Sequence, residues 1–85
     1  MNKNEERMEI ATSETATEWV ATYEGERTAT IKFETNGTCV IWINGKGEVE
    51  GISRQIANNI ITKYASDSRF ETGYYLWSSD WMKNK

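Results

Sequence analysis

The stretch FETNGTCVIWING, residues 33–45, decides how the sheet of this chain is assembled. Asn36-Gly37 is a strong two-residue hairpin signal, because a type I′ turn needs positive φ at both central positions. Val40, Ile41, Trp42 and Ile43 follow with no polar residue between them. A strand with one wet face alternates apolar and polar residues; an unbroken apolar run is apolar on both faces. A two-residue loop pairs Thr35 with Thr38, Phe33 with Val40 and Ile31 with Trp42. Ala29, Ile31, Phe33, Val40 and Trp42 are then expected on one face. Cys39, Ile41 and Ile43 are expected on the other, beside Thr30 and Lys32.

Upstream, Trp19, Ala21 and Tyr23 alternate with Val20, Thr22 and Glu24, a period-two pattern rich in β-branched and aromatic residues. A turn signal, EGER, leads into the alternation RTATIKFET of residues 27–35. The register of this first hairpin has two readings. A two-residue loop, Gly25-Glu26, sets Val20 against Ile31 and sends Trp19, Ala21 and Tyr23 to the second face. A three-residue loop, Glu24 to Glu26, groups Trp19, Ala21 and Tyr23 with Ala29 and Ile31. One residue of slip exchanges the faces. The three-residue loop gathers more apolar area on one side and is the expected one.

Downstream, NGKGEVEGIS, residues 44–53, contains three glycines and reads as a connection. Ser53 is placed to N-cap a helix, with Ile52 before it as half of a hydrophobic staple on Ala57. Ile56, Ala57, Ile60, Ile61, Tyr64 and Ala65 form one apolar arc at helical spacing, with polar residues opposite. RFETGYYLW, residues 69–77, reads as a fourth strand with Tyr75 and Trp77 on one side. The tail SSDWMKNK suits a short terminal helix ending in lysines. The expected fold is α+β: a twisted, mainly antiparallel sheet of about four strands, β-β-β-α-β, with one amphipathic helix on one face. Residues 18–85 form this single domain. Residues 1–17, polar with Met8, Ile10 and Ala11 as the apolar foothold beyond Met1, have room for a short helix or an edge strand, and the favoured expectation is a mobile arm able to order on a partner.

One helix covers one face of a sheet, so the second face needs another cover. The arm, the Trp81 tail, a second copy of the chain or a different protein would serve. Leaving three to five large apolar side chains in water forgoes about 1.5–3 kcal/mol each, and large exposed patches mark interfaces.

Composition removes several functional classes. The 85 residues contain no His, so imidazole-based triads, dyads and metal ligands are excluded. One cysteine, Cys39, allows no internal disulfide and builds no zinc site. Residues 1–50 carry ten carboxylates against five cations, and residues 51–85 three against five. The acidic half disfavours broad phosphate-backbone contact. No apolar run approaches the roughly 18 residues of a membrane span, and MNKNEERMEI has no secretion-signal core, so a cytoplasmic protein is expected.

Chemical motifs are few. Glu48 and Glu50 alternate in GEVEG and share a strand face, the minimum for an acid/base pair, although such glutamates are ordinarily solvated. Asp67, Glu71 and Asp80 lack the spacing of a calcium loop. GKGE, residues 45–48, resembles part of a phosphate cradle but lacks the spacer and the trailing Ser or Thr. No cofactor is implied.

TGYYLWSSDW, residues 72–81, interleaves Tyr74, Tyr75, Trp77 and Trp81 with small polar residues, a composition suited to a binding surface. The expected function is therefore non-enzymatic protein binding, to a foreign protein or to a second copy. Trp77, Trp81 and Tyr75 are the expected anchors, and Lys46, Glu48 and Glu50 the rim charges. A short, acidic, aromatic-rich chain without Pro or His is similar in general character to small proteins of phages and mobile elements that block host enzymes. The alternative is a module that stacks single-stranded nucleic acid or carbohydrate on the same aromatics.

Overall fold

The computed structural model describes residues 7–78. Seven elements follow in chain order: β1 (Arg7–Ile10), β2 (Glu18–Tyr23), β3 (Glu26–Phe33), β4 (Thr38–Ile43), β5 (Gly47–Ser53), α1 (Arg54–Ala65) and β6 (Glu71–Ser78). Among the described residues the strands form one sheet of order β1-β6-β2-β3-β4-β5, with every neighbouring pair antiparallel. The α+β class and the single packed helix agree with the sequence reading; the sheet has six strands rather than four.

The two added strands are at the edges. β1 occupies part of the segment expected to stand off as an arm, and pairs with β6. The chain after it is held as well. Backbone N–H groups of Ala11 and Thr17 donate to the carbonyls of Tyr74 and Tyr75, and the Arg54 guanidinium donates to the Ser13 carbonyl at 3.1 Å. β5 lies in the stretch read as a connection, and a bulge explains why its pattern was concealed. Between the pairs Cys39↔Ile52 and Ile41↔Val49, β5 carries one residue more than β4. Val49 and Ile52 thus face the same way although three residues apart, which destroys the period-two signal.

Both hairpin loops differ from expectation, but only the second changes the register of its strands. The first loop is Glu24-Gly25, with Tyr23 opposite Glu26 and φ of 52° and 85° at the two loop residues, the signs of a type I′ turn. The expected three-residue loop is replaced by this shorter one plus a bulge at Thr28. The bulge supplies the missing residue, so Trp19 and Ala21 still share a face with Ile31 and Ala29.

The second loop is longer than expected. The Glu34 N–H donates to the Thr38 carbonyl at 2.9 Å, which leaves Thr35, Asn36 and Gly37 as a three-residue loop. Oδ1 of Asn36 accepts from the Thr38 N–H at 3.0 Å and from the Thr38 hydroxyl at 2.8 Å. These bonds hold Asn36 as an Asx-type turn, and only Gly37, at φ 92°, takes the left-handed conformation that closes such a loop. Phe33 therefore pairs with Cys39, Ile31 with Ile41 and Ala29 with Ile43. The face assignment of β4 is reversed. Cys39 and Ile41 point to the helix and are 1% and 6% exposed, and Ile43 packs beside them; Val40 and Trp42 point away.

The core lies between α1 and this sheet face. Trp19, Ala21, Ala29, Ile31, Cys39 and Ile41 meet Ala57 and Ile61 of the helix. Cys39 and Ile41 are slimmer than Trp42, which lets α1 approach through Ala57. Ser53 caps the helix as its sequence position implied, its Oγ accepting from the Ile56 N–H at 3.2 Å. Ile56 and Ala65, placed in the apolar arc by spacing, are exposed.

Candidate functional site

Cross-strand partners share a face, so the register maps the surface turned away from α1. One row across it reads Gly73, Val20, Thr30, Trp42, Glu48. The next reads Ile10, Tyr75, Glu18, Lys32, Val40. No described helix lies over these rows, because the core contacts place α1 on the opposite side.

The middle of this surface is tight. Val20 and Thr30 are buried, and Thr30 Oγ1 has no hydrogen-bond partner. Glu18 is buried with its carboxylate 3.7 Å from the Arg27 guanidinium. The Tyr75 ring folds back along its own strand; a Cβ at position 73 would stand 3.0 Å from its hydroxyl. The absence of a side chain at Gly73 thus leaves the ring its room. Trp42, Val40 and Tyr75 are half-buried, and Ile10 at the sheet edge is 89% exposed.

Among the expected site residues whose side chains are described, Tyr75 lies apart from Lys46, Glu48 and Glu50. Tyr75 is on this face in β6. Trp77 contributes its backbone to the ladder opposite Met8, and Trp81 lies outside the described residues. Glu48 and Glu50 are exposed on β5, and Glu50 lines a shallow hollow with Val40. Four strand spacings, about 19 Å, separate Tyr75 from Glu48. Lys46 belongs to the turn between β4 and β5 and lines a groove on the helix side. The residue missed was Trp42, which the two-residue loop had placed in the core.

That helix-side groove, about 420 Å³, has Ile43, Ile60, Tyr64 and Phe70 as its apolar lining. Tyr64 and Phe70 meet edge to face at 4.9 Å, and Tyr23 touches Phe70 from β2. Lys46, Lys63, Asp67 and Arg69 supply the polar lining. Asp67 and Arg69 form a forked pair, Nε to Oδ1 at 3.0 Å and Nη2 to Oδ2 at 2.7 Å, and the Arg69 backbone N–H also donates to Oδ1. These bonds hold the Asp67 carboxyl down at about 2 against an ordinary 3.8. A depressed carboxylate stabilises the fold fully above its unfolded pKa, and the contribution is lost as pH falls through the folded value. The window is therefore pH 4 down to about 2. A carbon-detected NMR titration should give Asp67 a midpoint near 2, returning to the ordinary range in Arg69→Gln. An ordinary midpoint in the native chain would remove this ion pair.

Burial pushes the Cys39 thiol up, with Arg54 pulling weakly the other way, so it is a protonated core group rather than a nucleophile. Among the described residues no group of three or more His, Cys, Asp or Glu side chains is placed to hold a metal ion, and no helix is long and apolar enough to cross a membrane. Comparison with known proteins returns no matching family model, no similar curated protein and no similar solved structure.

Proposed function

We propose that this chain is a non-catalytic binding protein that engages another protein through the sheet face turned away from α1, with Trp42 and Tyr75 as anchors. The supporting observation is the reversed register of β4. It removes Cys39, Ile41 and Ile43 as a reason to expect a partner, since those side chains lie on the helix side. In their place it presents Trp42 and Val40, in one surface with Tyr75 and Ile10. Tryptophan and tyrosine dominate protein-binding hot spots because they bury large areas at low entropic cost. The charges of this face favour protein over nucleic acid. Glu18 and Glu48 offset Arg27 and Lys32, so among the described residues this face carries no basic stripe of the kind phosphate contact requires.

The test is affinity capture with the native chain and with Trp42→Lys as parallel baits, each checked by circular dichroism. Losing a hot-spot anchor costs about 2 kcal/mol or more, roughly thirtyfold in affinity. A protein enriched on the native bait should be lost from Trp42→Lys and reduced by Ile10→Lys, a change at an exposed edge that leaves the core alone. Identical capture by native and folded variant baits overturns the proposal.

A further inference from the structure

We propose that the groove on the helix side, separate from the protein-binding face, binds a small carboxylate carried on an aromatic or aliphatic body. Its volume, about 420 Å³, is that of a small-ligand site. The floor asks for an apolar body: Ile43 comes from β4, Ile60 and Tyr64 from α1, and Phe70 from the segment entering β6. The edge-to-face pair of Tyr64 and Phe70 offers an aromatic wall.

The lining cations set the sign of the ligand. Arg69 is spent on Asp67, so that pair contributes no net charge. Lys46 and Lys63 have no carboxylate within ion-pair distance among the described residues. Lys63 has an ordinary role as well, since it stands in the last turn of α1, where a cation complements the helix dipole. Lys46 has no such role. It reaches the same groove from the β4–β5 turn, so two independent elements bring uncompensated ammonium groups to one apolar concavity. A cleft of one sign with low-dielectric walls concentrates the field on an anion. Phosphate is the poorer occupant, because the one guanidinium fork is already closed on Asp67 and Ile43, Ile60 and Phe70 leave the floor mostly apolar. A monocarboxylate with an apolar body satisfies both halves of the site.

The probe is 2-naphthoate, with uncharged 2-naphthamide as its neutral counterpart, titrated into the full chain by heteronuclear NMR. Naphthoate should shift amides of residues 43–46, 60–64 and 67–70, and naphthamide should bind at least about tenfold more weakly. Lys46→Gln and Lys63→Gln should each weaken naphthoate several-fold. Lys32→Gln and Trp42→Lys, on the opposite face, should leave it unchanged, which separates this site from the protein-binding face. Equal binding of the two probes, shifts centred elsewhere, or no saturation below about 10 mM overturns the proposal.

Discussion

Replacing Trp19 by alanine is expected to lower stability by about 3–5 kcal/mol, the range for removing a large buried aromatic ring. Trp19 is 1% exposed, pairs with Ile31 on one side and Tyr74 on the other, and sets its ring 5.8 Å from that of Tyr64 on α1. It is the largest fully buried side chain among the described residues. A domain of 85 residues has roughly 4–13 kcal/mol in total, so the loss takes much of what there is. The melting temperature should fall by at least about 12 °C, and the chain unfolds outright if its stability is at the low end. Ile56→Ala is the control: same helix, half exposed, and expected to stay within about 1 kcal/mol. A fall below about 4 °C for Trp19→Ala would show that the ring is not the centre of the core.

Trp19 was legible because its strand alternates cleanly and its partners lie on a strand that does the same. α1 was legible for a similar reason: one cap and one apolar arc, read locally, fix a helix without reference to anything distant. What failed was register. A strand exposes its apolar residues to one face or the other according to a count of loop residues; the Asx-type turn changed that count for β4, whereas the Thr28 bulge restored it in the first hairpin. Asn36-Gly37 by itself fits a type I′ turn, but Thr38 recruits the Asn36 side chain into a longer loop. β5 disappeared from the pattern because its bulge separates Val49 from Ile52 by three positions. β1 offered too few residues to carry a period at all. The inference that β4 is apolar on both faces survived, because it depends on composition and not on the count. Which residues belong to which face did not survive, and the candidate surface moved with them from Cys39, Ile41 and Ile43 to Val40 and Trp42.

Ile41→Asn and Val40→Asn, the same substitution at adjacent positions, should therefore give opposite outcomes. Ile41 is 6% exposed and pairs with Ile31 in the centre of the helix-facing surface. Removing its side chain costs about 2–5 kcal/mol, and the unpaired amide left in the core adds about 1–3 kcal/mol. Ile41→Asn should lose at least about 3 kcal/mol and unfold in part or in full. Val40 is half-buried on the other face, opposite Lys32, and there asparagine forfeits β-propensity worth up to about 1 kcal/mol. Cys39 reports the difference directly. Its thiol is buried with its pKa pushed up, so the native chain and Val40→Asn should resist a thiol-specific chromogenic reagent, whereas Ile41→Asn should react readily. The reverse result, a reactive Val40→Asn beside an inert Ile41→Asn, would restore the two-residue Asn36-Gly37 loop. Phe33 would then pair with Val40, Trp42 would lie beneath the helix, and the protein-binding face proposed for Trp42 would have to be built from Cys39, Ile41 and Ile43 instead.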